Sequence, residues 1–283
     1  MLTVVASGPL ATVQDLGRPG WSTVGVTRSG AADRAAHALA NRLVGNGASA
    51  ATVEVTAGGL RLRADRTHLV AVTGAPSPVT ADGRPGPLHA PLTLRAGAVL
   101  ALAPPPVGLR SYVAVRGGVA VPPVLGSRST DTLSGLGPEP LRAGDVLPVG
   151  DLAATEPVVD VAPVAPLPDR PVLRVLPGPR RDHLAAEAWA LLTTAAWTVT
   201  PDADRVGLRL AGPVLRSAGR GELPSEGLVP GAVQVPPDGA PVLFLADHPV
   251  TGGYPVLAVV RAADLGAAAQ LRPGDGLRFS LAR

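Results

Sequence analysis

The chain carries four polar segments that interrupt an otherwise apolar pattern, and each has side chains suited to binding or transforming a small polar ligand. The first, residues 14–20, combines Gln14, Asp15 and Arg18 with two glycines. Such a set can hold a polar ligand against the backbone, because a guanidinium makes a forked contact with a carboxylate or phosphate. A turn in which Asp15 caps backbone groups and Arg18 pairs locally accounts for the same residues equally well.

The second and third segments are rich in hydroxyl groups. Residues 25–33 lead into a predicted helix whose free N–H groups attract anions, although a plain N-cap at Ser29 or Asp33 is the more common arrangement. Residues 126–131 form a glycine-led loop that suits a carboxylate or phosphate but lacks the lysine of a phosphate-binding loop. Its candidate substrate-binding residues are Arg128, Ser129 and Thr130.

The fourth segment, residues 247–255, lies between two apolar strands and is longer than a hairpin requires. Gly252 and Gly253 permit close approach to backbone N–H groups, which would stabilise an oxyanion by about 3–4 kcal/mol per donor. Asp247 and His248 resemble a catalytic acid–base pair, but they line one pocket only if the strand has already ended, since neighbours on a strand alternate. Further candidate binding residues are Gln234, Thr251 and Tyr254.

Composition excludes several kinds of chemistry. The 283 residues include no Cys, and all 25 Lys-plus-Arg positions are Arg, which rules out Cys nucleophiles, Cys-ligated metals, Schiff bases and a lysine-dependent phosphate loop. The five His residues show no metal-ligand spacing, so we predict no metal site. The net charge of +3 is a weak field, so nucleic acid is not an expected partner.

The sequence offers no recognisable targeting signal. No apolar run approaches the ~18–20 residues of a membrane helix, and residues 1–16 lack the basic segment of a secretory signal. We therefore expect a cytoplasmic protein without a membrane partner.

The elements that must position the polar segments are mainly strands. Short Val- and Leu-rich runs between Gly and Pro predict strands, whereas residues 31–44, 182–196 and 262–270 have helical character. Many strands with two or three helices indicate a mainly β, barrel-type fold. Examples of the predicted strands are residues 53–56, 60–63, 69–73, 99–102, 111–115, 172–176, 242–246 and 256–260.

A faint internal repeat runs through the chain. The motif Leu-Arg-x-Gly at residues 94–97 recurs at 141–144 and 271–274, and Gly-Leu-Arg-Leu at 59–62 recurs at 207–210. The repeat predicts two related barrels, each with one capping helix, although Leu-Arg-x-Gly is also a common turn at the start of a strand.

Domain boundaries follow from a segment rich in Pro, Ala and Val at residues 151–171, which predicts a stiff, extended connector. We predict an N-terminal barrel half at 1–150 and a C-terminal barrel half at 172–283, and leave open whether the halves are intertwined.

Six motifs occur together in one order along the chain: Gln14-Asp15-Leu16-Gly17-Arg18, the run from Arg28-Ser29-Gly30 to Asp33, Asn41 to Asn46, Gly126-Ser127-Arg128-Ser129-Thr130, Asp204-Arg205 and Thr251-Gly252-Gly253-Tyr254-Pro255. On these motifs the sequence resembles the family of the 5-oxoprolinase C subunit, also called the allophanate hydrolase subunit 2 or biotin-dependent carboxyltransferase family. The resemblance covers residues 2–279.

The resemblance implies tandem cyclophilin-like β-barrels with a few capping helices. It also implies a heteromeric complex with two partner proteins, a cyclophilin-like B subunit and an A subunit, in which 5-oxoproline is opened to glutamate with hydrolysis of ATP. The homologous region of urea carboxylase instead transfers a carboxyl group from carboxybiotin to urea. Both reactions handle a small planar amide.

The leading hypothesis is therefore a hydrolase subunit of an ATP-dependent 5-oxoprolinase that is inactive without its partner subunits. In this hypothesis Arg18 or Arg128 holds the substrate carboxylate, and Asp15 or Asp247 manages protons. The amides at 252–253 stabilise negative charge on the ring oxygen. ATP belongs to the complex, and whether this chain binds nucleotide is left open.

One departure from the family pattern motivates two alternatives. Pro249 and Val250 replace the usual Gln and Thr before Gly-Gly-Tyr-Pro, and the family tolerates Arg at the position of His248. The first alternative is a urea- or amide-type biotin-dependent carboxyltransferase component, whose biotin would sit on a separate carrier because this chain has no Lys. The second is a non-catalytic antagonist of a kinase-inhibitor-like protein, since some relatives are described in that way.

Overall fold

The computed structural model of the protein describes residues 1–151 and 155–282. The chain divides into two compact units. The first unit comprises Met1–Arg18 and the described part of Ser29–Leu167, and the second comprises Pro19–Arg28 with the described residues from Pro168 onward. Strands dominate both units, and the described helices are short, which confirms the predicted mainly β fold.

Two antiparallel sheets form the first unit. The strands are β1 (Leu2–Ser7), β2 (Leu10–Gln14), β3 (Thr52–Thr56), β4 (Leu60–Ala64), β5 (His68–Gly74), β6 (Val79–Ala81), β7 (Arg84–Gly86), β8 (Pro91–Leu94), β9 (Val99–Leu102), β10 (Arg110–Val115) and β11 (Val146–Leu147). One sheet has the order β11-β1-β4-β9-β6-β7 and the other has the order β2-β3-β10-β5-β8.

The core of the first unit lies between these sheets, because both contribute buried aliphatic side chains to one cluster. In β4 the buried Leu60, Leu62 and Ala64 alternate with exposed arginines, as expected for a strand with one face in a core. The five-stranded sheet has a central strand, β10, that is buried along its whole length. The polar segments at 14–20 and 126–131 leave this framework as loops.

A closed barrel forms the second unit, with strand order β12-β19-β16-β17-β14-β13-β20. Its strands are β12 (Val172–Pro177), β13 (Ala196–Ala203), β14 (Gly207–Ala211), β16 (Ala232–Gln234), β17 (Val242–Phe244), β19 (Val256–Val260) and β20 (Gly276–Leu281). Strands β15 (Glu226–Gly227) and β18 (Thr251–Gly252) make a separate two-stranded sheet. The barrel core includes the fully buried rings of Trp197 and Phe279.

The helices are α1 (Arg34–Leu43), α2 (Ala188–Thr194) and α3 (Leu265–Ala269). Asp33 caps α1 by accepting the N–H of Ala36 at 3.0 Å. The helix predicted over 182–196 is shorter, because Ala196 already begins β13, which pairs with β20, and strand pairing overrides alanine's helix propensity. None of the described helices is long and apolar enough to cross a membrane.

The repeated Leu-Arg-x-Gly motif corresponds to one turn that recurs in both units. Gly97, Gly144 and Gly274 all have positive φ, at 80°, 97° and 91°. Each glycine N–H donates to a carbonyl of a neighbouring strand at 2.8 Å, and the next residue donates to the carbonyl of the motif's arginine at 3.0–3.1 Å. The repeat therefore encodes a specific strand-entry turn.

The division between the units falls between Leu167 and Pro168, inside the segment 151–171, and it also assigns Pro19–Arg28 to the second unit. Residues 152–154 of this segment lie outside the described residues. The N–H of Ala162 donates to the carbonyl of His89 at 2.8 Å, and regular secondary structure resumes with β12. The exact boundaries at 150 and 172 stay a prediction.

Candidate functional site

Asp15 joins two loops of the first unit. Oδ1 of Asp15 accepts the N–H of Gly17 at 2.8 Å and the hydroxyls of Ser127 and Ser129 at 2.6 Å each. Oδ2 accepts the N–H of Arg128 at 2.6 Å. The carboxylate is 6% exposed, so its charge is balanced by donors rather than by water. The predicted first and third polar segments are therefore brought together.

Arg128 is fixed by one contact at its backbone and another at its side chain. Its backbone is held by Asp15, and its Nε donates to the carbonyl of Val121 at 2.7 Å. The two terminal nitrogens have no hydrogen-bond partner among the described residues, and Arg128 is only partly buried. A guanidinium anchored at one edge and open at the other is suited to a forked contact with a carboxylate.

A pocket of about 410 Å³ lies against this arginine, and we call it the Arg128 pocket. It carries one cationic and one anionic side chain, and the rest of its lining is small or apolar. Its lining residues are Asp15, Leu16, Gly17, Gly47, Ser49, Ala50, Gly126 and Arg128. Its volume lies within the range of about 300–1,000 Å³ that is usual for small-molecule sites.

At Gly30 the backbone passes close to residues 15–17, which line the Arg128 pocket. The N–H of Ala31 donates to the carbonyl of Asp15 at 2.9 Å. A Cβ at Gly30 would lie 2.8 Å from the nitrogen of Gly17, and Gly30 has a φ of +98°. Only glycine fits here, because any side chain would displace Gly17 from the pocket.

A buried carboxylate supports the next residues of this segment. Oε2 of Glu54 accepts the N–H of Ala32 at 3.0 Å and the hydroxyl of Tyr112 at 2.8 Å, and that hydroxyl accepts the N–H of Asp33 at 2.7 Å. Burial, together with the neighbouring carboxylates of Glu54 and Asp33, raises the pKa of Tyr112 well above its usual value. The phenol therefore stays protonated and keeps donating to Glu54.

Three other predicted residues form an enclosed cluster beside the Asp15 contacts. Nε2 of Gln14 donates to the carbonyl of Thr130 at 2.9 Å, and Nη2 of Arg18 donates to the carbonyl of Ser129. Nη1 of Arg18 lies 4.0 Å from Oδ2 of Asp131. All three predicted side chains are at least 97% buried, with exposures of 0%, 1% and 3% for Gln14, Arg18 and Thr130.

The enclosed cluster retains hydrogen-bonding capacity. Oε1 of Gln14, Nε and Nη1 of Arg18 and Oγ1 of Thr130 have no hydrogen-bond partner among the described residues. An unsatisfied buried polar group costs about 1–3 kcal/mol, so these atoms are complementary to bound water or to a small ligand with both donors and acceptors. The sequence motifs predict substrate binding for all three residues, and that role stays a prediction.

In the second unit, Asp247 forms a buried ion pair with Arg205. Oδ2 and Oδ1 of Asp247 accept from Nε and Nη2 of Arg205 at 2.9 and 3.1 Å, and the exposures are 0% and 2%. β17 ends at Phe244, before Asp247. Asp247 and His248 are therefore outside the strand, and their side chains are not forced onto opposite faces of the sheet. Nδ1 of His248 lies 2.7 Å from the carbonyl of Pro249, which identifies Nδ1 as a donor.

A second group in this unit surrounds Gly252. Nε2 of Gln234 donates to the carbonyl of Tyr254 at 2.9 Å, and a Cβ at Gly252 would lie 2.7 Å from that same nitrogen. Gly252 pairs with Glu226, whose carboxylate is held by Arg180, and this contact lowers the pKa of Glu226. Thr251 and Tyr254 are exposed, and Gly253 is exposed beside them.

Sequence reasoning missed several residues of the Arg128 pocket. Gly47, Ser49 and Ala50 line it, and the only sequence signal was the run from Asn41 to Asn46 just before them. The carbonyl of Val121, which anchors Arg128, carries no side-chain signal. Among the described residues, no group of three or more His, Asp or Glu side chains could hold a metal ion.

The profile of the family described as "Carboxyltransferase domain, subdomain A and B" matches residues 24–281. The chain belongs to the carboxyltransferase domain family. This confirms the resemblance found in the sequence. A curated relative, the 5-oxoprolinase C subunit of Escherichia coli (strain K12), is 36% identical over 99% of this chain and 90% of that protein.

Solved structures of carboxyltransferase domain relatives have the same fold. The crystal structure of TTHA0988 has a TM-score of 0.89 and 40% identity, and the alignment covers 99% of this chain and 55% of that one. The crystal structure of the K. lactis urea amidolyase has a TM-score of 0.94 and 30% identity, over 100% of this chain and 19% of that one. This chain therefore spans only part of each solved chain.

Proposed function

We propose that this protein is a component of an ATP-dependent 5-oxoprolinase and that it binds the carboxylate of 5-oxoproline in the Arg128 pocket. The observation that carries the proposal is the pair of unpartnered terminal nitrogens of Arg128 at a pocket of about 410 Å³. The similarity to the 5-oxoprolinase C subunit supports it. The cytoplasm is the compartment we propose for the complex.

5-Oxoproline suits this pocket chemically, because it combines a carboxylate with a flat lactam. The free edge of Arg128 would take the carboxylate in a charge-assisted contact. The small residues Gly17, Gly47 and Gly126 leave room for the ring and give access to backbone groups. The same pocket presents one cation only, which fits a single carboxylate better than the triphosphate of ATP.

The chemical step adds water across the lactam C–N bond. The water oxygen becomes bonded to the carbonyl carbon, and the ring nitrogen takes up a proton as it leaves. We assign to this chain the binding and orientation of the lactam, and to the partner A and B subunits the completion of the site. Hydrolysis of ATP to ADP and phosphate, which consumes a second water, would supply the driving force when ATP is bound by the complex.

The two carboxylates proposed as catalytic are better suited to positioning. Both oxygens of Asp15 are occupied by four donors, and Asp247 is committed to Arg205. We therefore propose that Asp15 aligns Arg128 and that Asp247 orders the segment carrying His248. Proton transfer by His248 remains the third catalytic assignment, and the contact of its Nδ1 with the carbonyl of Pro249 would orient the ring for it.

A urea-type carboxyltransferase component is the second candidate, and the fold similarity to the K. lactis urea amidolyase favours it. Its biotin would be bound to a separate carrier protein. Urea has no carboxylate, so in this candidate the free edge of Arg128 would contact the carboxylate of carboxybiotin instead. The third candidate, a non-catalytic antagonist, rests on the replacement of the usual polar side chains by Pro249 and Val250. Both residues make their contacts through backbone carbonyl oxygens, and such contacts do not depend on the identity of the side chain.

Reconstitution with homologues of the A and B subunits tests the proposal. The complete mixture should convert 5-oxoproline and ATP to glutamate, ADP and phosphate, and omission of this chain should abolish glutamate formation. A matched reaction with urea, bicarbonate, ATP, biotin carboxylase and a biotinylated carrier tests the second candidate. Carboxylated urea without any glutamate formation would overturn the proposal, and partner binding without turnover of either substrate would favour the antagonist.

A further inference from the structure

Part of the wall of the Arg128 pocket is a short turn that follows α1. Gly47, Ser49 and Ala50 of this turn line the pocket. Residues 47–49 are exposed, and the N–H of Ala50 closes the turn by donating to the carbonyl of Gly47 at 3.0 Å. The position of this turn therefore determines how much room the pocket offers.

Two buried side chains of α1 contact the carbonyls of the turn. Nε2 of His37 lies 3.0 Å from the carbonyl oxygen of Ala48, and Nδ2 of Asn41 donates to that of Ala50 at 2.8 Å. His37 and Asn41 are four positions apart and therefore share one face of the helix. Both have 0% exposure, so neither contact competes with solvent.

The contacts of His37 define where its proton lies. A carbonyl oxygen only accepts, so Nε2 carries the hydrogen, and Nδ1 faces Oγ1 of Thr52 at 2.9 Å. Burial is the main cause and lowers the pKa of His37, while the contact with Ala48 and the charges of Asp15 and Glu54 raise it and Arg34 lowers it. The ring is therefore neutral near pH 7 and donates to the turn through Nε2 alone.

We propose that His37 is a positioning residue of the Arg128 pocket, which fixes the turn at 47–50 through its Nε2–H and thereby sets the affinity for the carboxylate ligand. The inference rests on the proposed function for the identity of that ligand. His37 itself does not line the pocket, so its effect passes through the carbonyl of Ala48.

Two substitutions separate this role from simple packing. His37→Gln keeps an N–H donor at about the distance of Nε2, whereas His37→Asn ends one atom earlier and cannot reach Ala48. In the reconstituted complex, His37→Asn should raise KM for 5-oxoproline about tenfold with kcat little changed, as loss of one buried hydrogen bond predicts. His37→Gln should stay within about threefold of the wild type, because the contact is retained.

Hydrogen exchange in the chain without partners gives a readout that does not depend on activity. Amides at 48–51 should exchange about tenfold faster in His37→Asn and near the wild-type rate in His37→Gln. Equal exchange in the two variants, whether fast or slow, would overturn the inference. Faster exchange in His37→Asn alone with unchanged KM would support positioning and count against the Arg128 pocket as the substrate site.

A measurement on the wild-type chain covers the case in which His37→Asn does not fold. ¹⁵N chemical shifts of the His37 ring should identify a protonated Nε2 and an unprotonated Nδ1 at neutral pH. Protonation at Nδ1 instead, or at both nitrogens, would mean that the ring does not hold Ala48 as proposed and would overturn the inference.

Discussion

The carboxylate of Asp15 accepts the backbone N–H of Arg128 at 2.6 Å, although 113 positions separate the two residues in the sequence. This bond, with three more donors on the other oxygen, holds the loop after β2 against the loop that carries Arg128. The pocket exists because these two loops are held together.

Replacing Asp15 by Asn should destabilise the first unit. Asn retains one acceptor oxygen. Its amide nitrogen, however, would face a hydrogen-bond donor, which is either the N–H of Arg128 or the three groups that donate to Oδ1 in the wild type. We expect the free energy of unfolding to fall by about 2–4 kcal/mol in denaturant titrations. Asp145→Asn is the matched control, because exposed Asp145 accepts one N–H, that of Arg142, and should cost about 1 kcal/mol or less. Equal losses in the two variants would contradict the role given to Asp15.

Gly47→Leu should fill the Arg128 pocket without disturbing the fold. A Cβ at Gly47 meets nothing within 4 Å, and the residue lines the pocket. KM for 5-oxoproline should rise by about tenfold or more in the reconstituted complex, while the free energy of unfolding stays within about 0.5 kcal/mol. Gly227→Leu is the control, since that glycine is exposed and equally unobstructed in the second unit. A wild-type KM for Gly47→Leu would argue against ligand binding in this pocket.

Breaking the buried pair of Arg205 and Asp247 should cost about 3–5 kcal/mol, because Arg205→Met removes the guanidinium that contacts both oxygens of a buried carboxylate. The double variant Arg205→Met/Asp247→Leu should recover much of that loss in the same denaturant titrations. Arg209→Gln, which breaks an ion pair whose side chains are 36% and 51% exposed, should cost less than about 1 kcal/mol. A double variant no more stable than Arg205→Met would contradict this account.

Mild acid should weaken the fold through its buried imidazoles. Burial lowers the pKa of His37 and of His89 below the ordinary value of 6.5. In mild acid the unfolded chain therefore binds protons that the folded chain does not. The contribution of these residues to the free energy of unfolding is fully present above about pH 6.5, and it is lost as the pH falls toward the lowered pKa values of the folded state. Asp65 has a lowered pKa because of its contacts with the N-terminal amino group and His68, so its contribution is lost only below about pH 4.

Denaturant titrations between about pH 7.5 and 5 measure this effect. His37→Gln and His89→Gln should each flatten the pH dependence in that window and leave the loss below about pH 4 in place. A slope that both substitutions leave unchanged would show that other groups titrate there.

Each of the eight strands named from local sequence patterns overlaps one of the twenty described strands. In β4, two arginines alternate with Leu60, Leu62 and Ala64, and this alternation indicates a strand with one buried face. The Leu-Arg-x-Gly turn was visible because its glycine needs positive φ in each copy. The extent of α2 was not predictable, because alanine-rich residues near 196 join a strand only through pairing with β20.

The candidate site was predictable in its residue types but not in its arrangement. Asp15 and Arg128 were both predicted as site residues. Neither sequence segment indicates that the carboxylate of Asp15 accepts hydrogen bonds from the loop that carries Arg128, because such contacts depend on the folded chain. The turn at 47–50 contributes backbone and small side chains, which carry no chemical signature. His37 was read only as one of five histidines without metal spacing, since its partner is a carbonyl oxygen.

The central claim is that Arg128 binds the substrate carboxylate, and KM for 5-oxoproline in the reconstituted complex tests it most directly. Arg128→Gln should raise KM by about 10- to 100-fold, because a charge-assisted contact of about 1.5–3 kcal/mol is lost. Arg95→Gln, an exposed arginine of a strand-entry turn, should leave KM unchanged. An Arg128→Gln chain that folds, assembles and retains the wild-type KM would contradict the account.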